Sequence, residues 1–427
     1  MPKFAHLADC HIGAWRDVRL REFNLKSFEL AIDSLIQEQV DFLIISGDIF
    51  HVNLPDLDSV NRVVSKLREA KEASIPVYAV YGSHDYSPNV TAMVDILTSA
   101  GLLTRVVDAT VEEGQVKLSY ISDPKTGAKL CGLSGRSYAL ERHYYEVLDR
   151  GTLESEEGFR IFVLHSAIEE VKPASAAYGL GIPASYLPSG LEYYAGGHIH
   201  QFLEEKVPGL GTVVYPGTLF GSNFSDLELY AKGARRGYVI VEFEEAVEGI
   251  QFVESSLRET IFKEFSGDNR SPKEVEDLLL QWAEETDISK KIVLIRVSGV
   301  LSSGKVTDID FNMVREILYE RGADFVSINR RGLSTREAPD VRILGETPSQ
   351  IEEKTLREAL SDFIIPRLSE EVHKWIEGHY KGESGVKLAL SLLQVLKSEK
   401  KEGETNLDFE ERILREGHEI LPRWTDE

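Results

Sequence analysis

The sequence predicts an α/β protein in which a helix-covered parallel sheet continues into a β-rich second half, followed by a small α+β lobe and a helical tail. Three observations carry this expectation. Short apolar runs at 3–8, 42–46 and 77–81 have the brevity and the Val, Ile, Tyr and Phe content of buried strands. Between them Phe28, Ala31, Ile32, Leu35 and Ile36, then Val60, Val63, Val64 and Leu67, recur with the period of amphipathic helices. Strand, helix, strand, helix, strand in that order is the signature of a parallel sheet with helices on its faces.

Further runs at 117–121, 129–133, 160–164, 192–195, 212–215 and 237–243 read as strands. Little helix separates the last of them, which predicts a second sheet. After Glu244 the texture changes: strand at 258–262, helix at 272–285, strand at 291–297, helix at 309–319 and strand at 325–328 make a unit large enough to be a separate lobe. From Ser349 onward the patterning is helical only, with apolar stripes at Leu356, Leu360, Phe363 and Ile364, then Val386, Ala389, Leu390, Leu393 and Leu396, then Phe409, Ile413 and Leu414. The expected domains are 1–250, 251–345 and 346–427.

A chain of 427 residues, 42% hydrophobic and 28% charged, has material for several folded domains and excludes collagen-like or wholly disordered readings. Its net charge of −23 means that attraction to phosphate backbones cannot come from the chain as a whole. Any nucleic-acid contact must be local or metal-mediated. Two cysteines, Cys10 and Cys131, give neither a disulfide framework nor a thiolate zinc cluster, and fit a reducing cytoplasm. The opening MPKFAHLADCHIG is too short and polar for a signal peptide, and no run approaches the ~20 apolar residues of a membrane span. The expected location is cytoplasmic.

The chemically dense residues sit at strand ends. Asp9 and His11, two apart, project to the same side of an extended chain and could grip one ion. Gly47-Asp48 follows the second strand and Gly82-Ser83-His84-Asp85 the third, while His165 and then Gly196-Gly197-His198-Ile199-His200 close two later ones. In a parallel sheet all carboxyl ends lie on one edge, where ligands bind. A single histidine or aspartate after a strand is more often a turn residue. Here His11, His51, His84, His165, His198 and His200 all lie at or just beyond strand ends. Imidazole and carboxylate without thiolate point to manganese, iron or zinc in an open catalytic site.

The ordered set D-x-H, G-D, G-x-H-D, H and G-H-x-H resembles the calcineurin-like metallophosphoesterase superfamily. Within it FAHLADCHIG, ISGDIFH and YYAGGHIH resemble the meiotic-recombination-eleven family of double-strand-break repair nucleases, SbcD-like and of archaeal type. The resemblance implies a metallophosphoesterase β-sandwich flanked by helices, an α+β DNA-capping domain and a helical ATPase-binding region. It implies two divalent ions, Mn2+ by expectation: one held by Asp9, His11, Asp48 and His200, the other by Asp48, Ser83, His165 and His198, with Asp48 bridging. His84 resembles the family's catalytic histidine, with Asp85 to orient its ring and His51 near the substrate phosphate. Where the family has Asn this chain has Ser83, a shorter arm, so the second ion is expected to be weaker or reached through water.

For a nuclease in so acidic a chain, Arg16, Arg19 and Arg21 after the first motif and Arg330, Arg331, Arg336 and Arg342 near the end of the lobe are candidate phosphate contacts, though charge clusters are commonly solvated faces. Arg16, Arg19, Arg330 and Arg331 are the principal candidates. The stripe Leu356, Leu360, Phe363, Ile364 and Leu368 either packs on its own domain or is offered to a partner's groove. The resemblance implies that partner, a Rad-fifty-type coiled-coil ABC ATPase. It further implies a homodimer, to which the 57–67 helix is a candidate contributor, and DNA ends, hairpins and single strands as substrates for exonuclease and endonuclease action. Two alternatives remain: a phosphatase or cyclic-nucleotide phosphodiesterase of the same superfamily, and a catalytically weakened scaffold for DNA ends.

Overall fold

The computed structural model describes residues 1–85, 92–112, 114–135, 141–174, 181–255, 257–335, 348–361, 370–401 and 406–421. Its contacts divide the chain into two units, Met1–Ala338 and Pro339–Glu427.

The first unit is built on two six-stranded sheets. In one, Lys3–Leu7, Phe42–Ser46, Val77–Val80 and Thr104–Arg105 run parallel, and Gly237–Phe243 and Val247–Glu254 extend the other side in antiparallel fashion. In the other, Lys129–Leu133, Arg160–His165, Tyr193–Gly197 and Thr212–Tyr215 run parallel between the antiparallel edges Ile121–Ser122 and Leu203–Lys206. The sheets share a core in which Phe4, Phe42, Ile44 and Val80 of the first meet Ile161, Val163, Tyr193 and Val214 of the second. Phe4 and Phe42 stack with ring centroids 5.0 Å apart.

The opposite face of the first sheet is covered by the helices Val18–Gln37 and Leu57–Glu72, through Leu25, Phe28, Ile32, Leu35, Val63 and Leu67. Each helix starts at an aspartate cap, Asp17 and Asp56, whose carboxylate accepts from first-turn amides. With both faces buried, the central strands read as continuous apolar runs rather than as alternation. A polar cluster inside the sandwich is local: His6 Nε2 lies 2.8 Å from Ser46 Oγ, His6 Nδ1 lies 3.0 Å from Tyr193 Oη, and Ser46 Oγ donates to the Ala195 carbonyl at 3.0 Å.

The α+β lobe is a three-stranded parallel sheet, Thr260–Ser266, Ile292–Leu301 and Phe325–Thr335, packed on the helices Pro272–Glu285 and Phe311–Glu320. It belongs to the same unit as the sandwich. Leu20, Phe220 and Leu227 of the sandwich side bury Ile292 and Leu294 of the lobe. Across this seam the buried Arg236 donates to the carbonyls of Phe220, Ser255 and Arg258. The edge strand Val247–Glu254 runs through the 250/251 position, so the sheet is complete only at residue 254.

The second unit is helical, with Pro348–Ser361, Glu370–Tyr380, Gly382–Leu396 and Asn406–Ile420. Ion pairs Arg357–Glu383 and Lys397–Glu352 tie its first helix to its third. No helix among the described residues is long and apolar enough to cross a membrane.

Candidate metal centre

The parallel strands of both sheets end at a common edge, and the turns that follow carry the site. Asp9, His11, Asp48 and His198 all have positive φ, 49°, 44°, 50° and 84°. Backbone strain of this kind persists where the surroundings impose it, commonly at functional sites. Here the imposing contacts are visible: the Asp9 amide donates to the Gly47 carbonyl at 3.2 Å, and the His11 amide to the Asp48 carbonyl at 2.8 Å. Gly82 has no alternative, since a Cβ there would collide with the Asp48 carboxylate and amide.

Asp48 lies at the centre. Its Oδ2 is 3.5 Å from His11 Nε2 and 3.3 Å from His165 Nε2, so one carboxylate from the first sheet meets imidazoles from both sheets. His11 Nε2 faces His200 Nε2 at 3.1 Å. Ligand atoms of Asp9, His11 and His200 fall within 4.8 Å of one another, and so do those of Asp9, Asp48 and His165. His198 gives both Asp9 carboxylate oxygens its backbone amide at 3.0 Å, and its ring stands edge-on to that of His165. Asp9, His11, Asp48, His165 and His200 are thus brought together. Asp9 reaches toward both groups, since His165 Nδ1 is 3.9 Å from Asp9 Oδ1.

Electrostatics agree with a site built for cations. Burial opposes charge on His165, but Asp48 and then Asp9 outweigh it and push its pKa up to about 10. Burial likewise opposes charge on His200, which the hydrogen bond and charge of Asp226 raise to about 9. Burial would raise Asp48, yet His165 and His11 hold its carboxyl far below the usual range. Asp9 is pushed up to about 6, chiefly by burial. Burial lowers His198 to about 4 and His11 well below its ordinary value. The acidic surroundings thus favour positive charge at both imidazoles.

His165 supplies the test of fit. Its Nδ1–H donates to the Ser46 carbonyl at 2.8 Å, which turns Nε2 toward Asp48, and that buried nitrogen has no hydrogen-bond partner. A divalent cation shared by His165 Nε2 and Asp48 satisfies both groups, and imidazole–carboxylate donors without thiolate suit manganese, iron or zinc. Cations held there would supply Lewis acidity to a phosphate ester and activate water as a nucleophile at neutral pH.

His84 is exposed on the rim. Its amide donates to Asp48 Oδ1 at 2.8 Å and its Nδ1–H to the His51 carbonyl at 2.7 Å, which leaves Nε2 as the ring position able to hand over a proton. The His51 ring stacks on His84 at 4.8 Å, and His51 Nδ1 lies 3.4 Å from His11 Nδ1. The expectation that Asp85 orients His84 is corrected by these contacts. Asp85 is buried, with its oxygens accepting from the amides of Ile49, Phe50 and Gly82, so it ties two ligand-bearing loops together. Ser83 lines the cleft beside Asp48 and His198.

Sequence reasoning missed Asp226 and His6. Asp226 Oδ2 holds His200 Nδ1 at 3.0 Å and also accepts from the Ser222 amide at 2.7 Å. Its only sequence signal is a place three residues after Asn223, the cap of the helix Phe224–Ala231. His6 acts one step further out, through Ser46, whose carbonyl holds His165.

Of the candidate DNA contacts, Arg16, Arg330 and Arg331 are exposed. Arg19 is committed elsewhere: it donates to the Asp324 carbonyl at 3.0 Å and lies 4.7 Å over the Tyr319 ring, fastening the lobe to the sandwich. Arg330 lies 5.1 Å over Phe311. Arg336 and Arg342 fall outside the described residues, as do Phe363, Ile364 and Leu368. Leu356 and Leu360 are half-buried on the helix Pro348–Ser361.

A cleft of about 600 Å3 opens over the site, lined by Asp48, Ser83, His84, His198 and His200 on one side and by Glu228 and Arg296 on another. With this geometry in place, the comparison with known families is direct: residues 2–202 match the calcineurin-like phosphoesterase family, and this part of the chain is a calcineurin-like metallophosphoesterase domain. Among curated relatives, the chain is similar to the DNA double-strand break repair protein Mre11 of Archaeoglobus fulgidus, 28% identical over 264 residues, covering 56% of this chain and 57% of that one. It is similar to the protein of the same name from Methanopyrus kandleri, 26% identical over 335 residues, 75% of this chain and 69% of that one. A third, from Sulfurisphaera tokodaii, is 27% identical over 266 residues, 59% of this chain and 62% of that one. The chain thus spans between 57% and 69% of the length of these three relatives.

Proposed function

We propose that this chain is a manganese-dependent DNA nuclease that hydrolyses phosphodiester bonds as exonuclease and endonuclease in double-strand-break repair. Its substrates are DNA ends, hairpins and single strands, and it works as a homodimer with a coiled-coil ABC-type ATPase docked on the helical tail. The observation that carries the chemistry is Asp48, whose Oδ2 lies within 3.5 Å of His11 Nε2 and 3.3 Å of His165 Nε2, as a carboxylate shared by two cations requires. In this reading Asp9, His11, Asp48 and His200 hold one ion and Asp48, Ser83, His165 and His198 the other. His84 protonates the leaving oxygen. Repair of DNA breaks is supported by the names of the relatives, and a polymeric substrate by Arg296, the lobe side chain that lines the cleft.

The test compares single-stranded, hairpin and double-stranded DNA with para-nitrophenyl phosphate, each with and without manganese. Manganese-dependent cleavage of DNA is the expected result. Hydrolysis of the monoester alone makes the protein a phosphatase of the same superfamily, and DNA binding without hydrolysis of either makes it a scaffold.

A further inference from the structure

Glu228 and Arg296 belong to no part of the metal centre, yet both line its cleft. Arg296 is on the central strand of the lobe, and among the described lining residues it is the one Lys or Arg side chain. Its guanidinium forks between two carboxylates, Glu228 of the sandwich side and Glu264 of the lobe, the latter at 3.2 Å. It also lies 5.4 Å over the Phe262 ring. Glu228 is in turn neutralised by Lys232 at 2.6 Å. Arg296 is one third exposed and Glu264 more than half, so the pair is open to water.

We propose that Arg296 is a phosphate clamp of the nuclease site, held by Glu228 and Glu264 until a phosphate flanking the cleaved one displaces them. The inference rests on the DNA-nuclease reading and names how that site recognises a polymer. Cations at the metal centre neutralise only the phosphate under attack. A strand's neighbouring phosphates otherwise meet a chain whose net charge is strongly negative. A guanidinium fork fits two phosphate oxygens as well as it fits a carboxylate, so the exchange keeps Arg296 paired throughout. Because Lys232 stays on Glu228, the carboxylate that Arg296 leaves is not stranded without a cation.

The experiment follows binding of a fluorescein-labelled single-stranded oligonucleotide by anisotropy across a salt series, in chelator so that nothing is cut. Arg296→Gln should raise Kd about five- to tenfold at low salt and lower the slope of log Kd against log salt by about 0.7, the loss of one single-strand phosphate contact. Arg296→Lys should keep the slope. Glu264→Gln, which removes a competing surface partner, should tighten binding about two- to fivefold at low salt, and it serves as the test should Arg296→Gln not fold. An Arg296→Gln slope equal to wild type, or weaker binding by Glu264→Gln, overturns the clamp and leaves Arg296 as a strut between lobe and sandwich. Cleavage with manganese is scored separately. A protein that binds with the expected slopes but cuts no DNA keeps the clamp and fails the nuclease reading, one that cuts DNA with an unaltered Arg296→Gln slope does the reverse, and absence of oligonucleotide binding overturns the clamp outright.

Discussion

His6 makes an acid-sensitive element of the sandwich core. Burial lowers its pKa from 6.5 to about 3, against a smaller opposing hydrogen bond at Gly196. It is fully buried, with Ser46 Oγ at 2.8 Å on one ring nitrogen and Tyr193 Oη at 3.0 Å on the other, a geometry that suits the neutral ring. In the unfolded chain the same ring takes a proton below 6.5. The unfolded state therefore binds more protons over the interval between the two values, so stability from this group is complete above 6.5 and falls as pH drops toward about 3. At about pH 4.5, two units below the unfolded value, the loss amounts to about 3 kcal/mol.

Replacing His6 by Gln separates this term from every other titration. The variant should be less stable near neutrality by about 1–3 kcal/mol, the cost of imperfectly made buried hydrogen bonds. Between about pH 7 and about pH 4.5 it should lose about 3 kcal/mol less than wild type does. Urea unfolding followed by tryptophan fluorescence, in chelator at both pH values, reads the difference, and the other acids cancel between the two proteins. If His6→Gln loses as much stability on acidification as wild type, His6 is not held neutral in the core and the reasoning fails.

Asp48→Ala should abolish binding of both manganese ions in calorimetry, whereas a variant that still takes up two contradicts the shared role. His84→Ala should keep manganese affinity while turnover on DNA falls ~10²-fold or more, and lost metal binding would make His84 a ligand instead. Asp226→Asn weakens the hold on His200 and should reduce manganese affinity about ten- to hundredfold with little change in thermal stability, because Asn223 still caps the helix; an unchanged isotherm refutes the orienting role. Ser83→Asn should lower the manganese concentration needed for half-maximal activity, and an unchanged or worsened titration would show serine to be a competent ligand already.

What was legible in the sequence follows from where each residue's partners lie. The strands 3–7, 42–46 and 77–80 are mainly apolar, with His6 and Ser46 the buried exceptions, because both faces are covered, and the candidate metal residues follow strand ends that share one edge. The edge strand Val247–Glu254 is only half-buried, so no continuous apolar run announced it and the expected boundary fell within it. Adjacency misled at Asp85. At a turn, consecutive side chains diverge, and while His84 faces the rim Asp85 turns inward to three amides. Asp226 and His6 were invisible because the partners that tie them to the site, His200 and Ser46, stand 26 and 40 residues away. Arg19 belonged to a charge cluster by sequence, but only folding showed that Tyr319 and the Asp324 carbonyl claim it.

The helix Phe224–Ala231 touches both the candidate metal site and the lobe. Asp226 in its first turn fixes the tautomer and angle of His200, and Glu228, two residues on, grips Arg296 of the lobe. Leu227 between them is buried against Ile292 and Leu294 in the seam. Three successive residues therefore face a candidate metal ligand, the apolar seam and the lobe's cleft-lining cation. The helix's buried leucine and the Glu228 carboxylate are both held from the lobe side, while Asp226 holds His200. Substitutions at the seam, far from any candidate ligand, should therefore register in metal affinity.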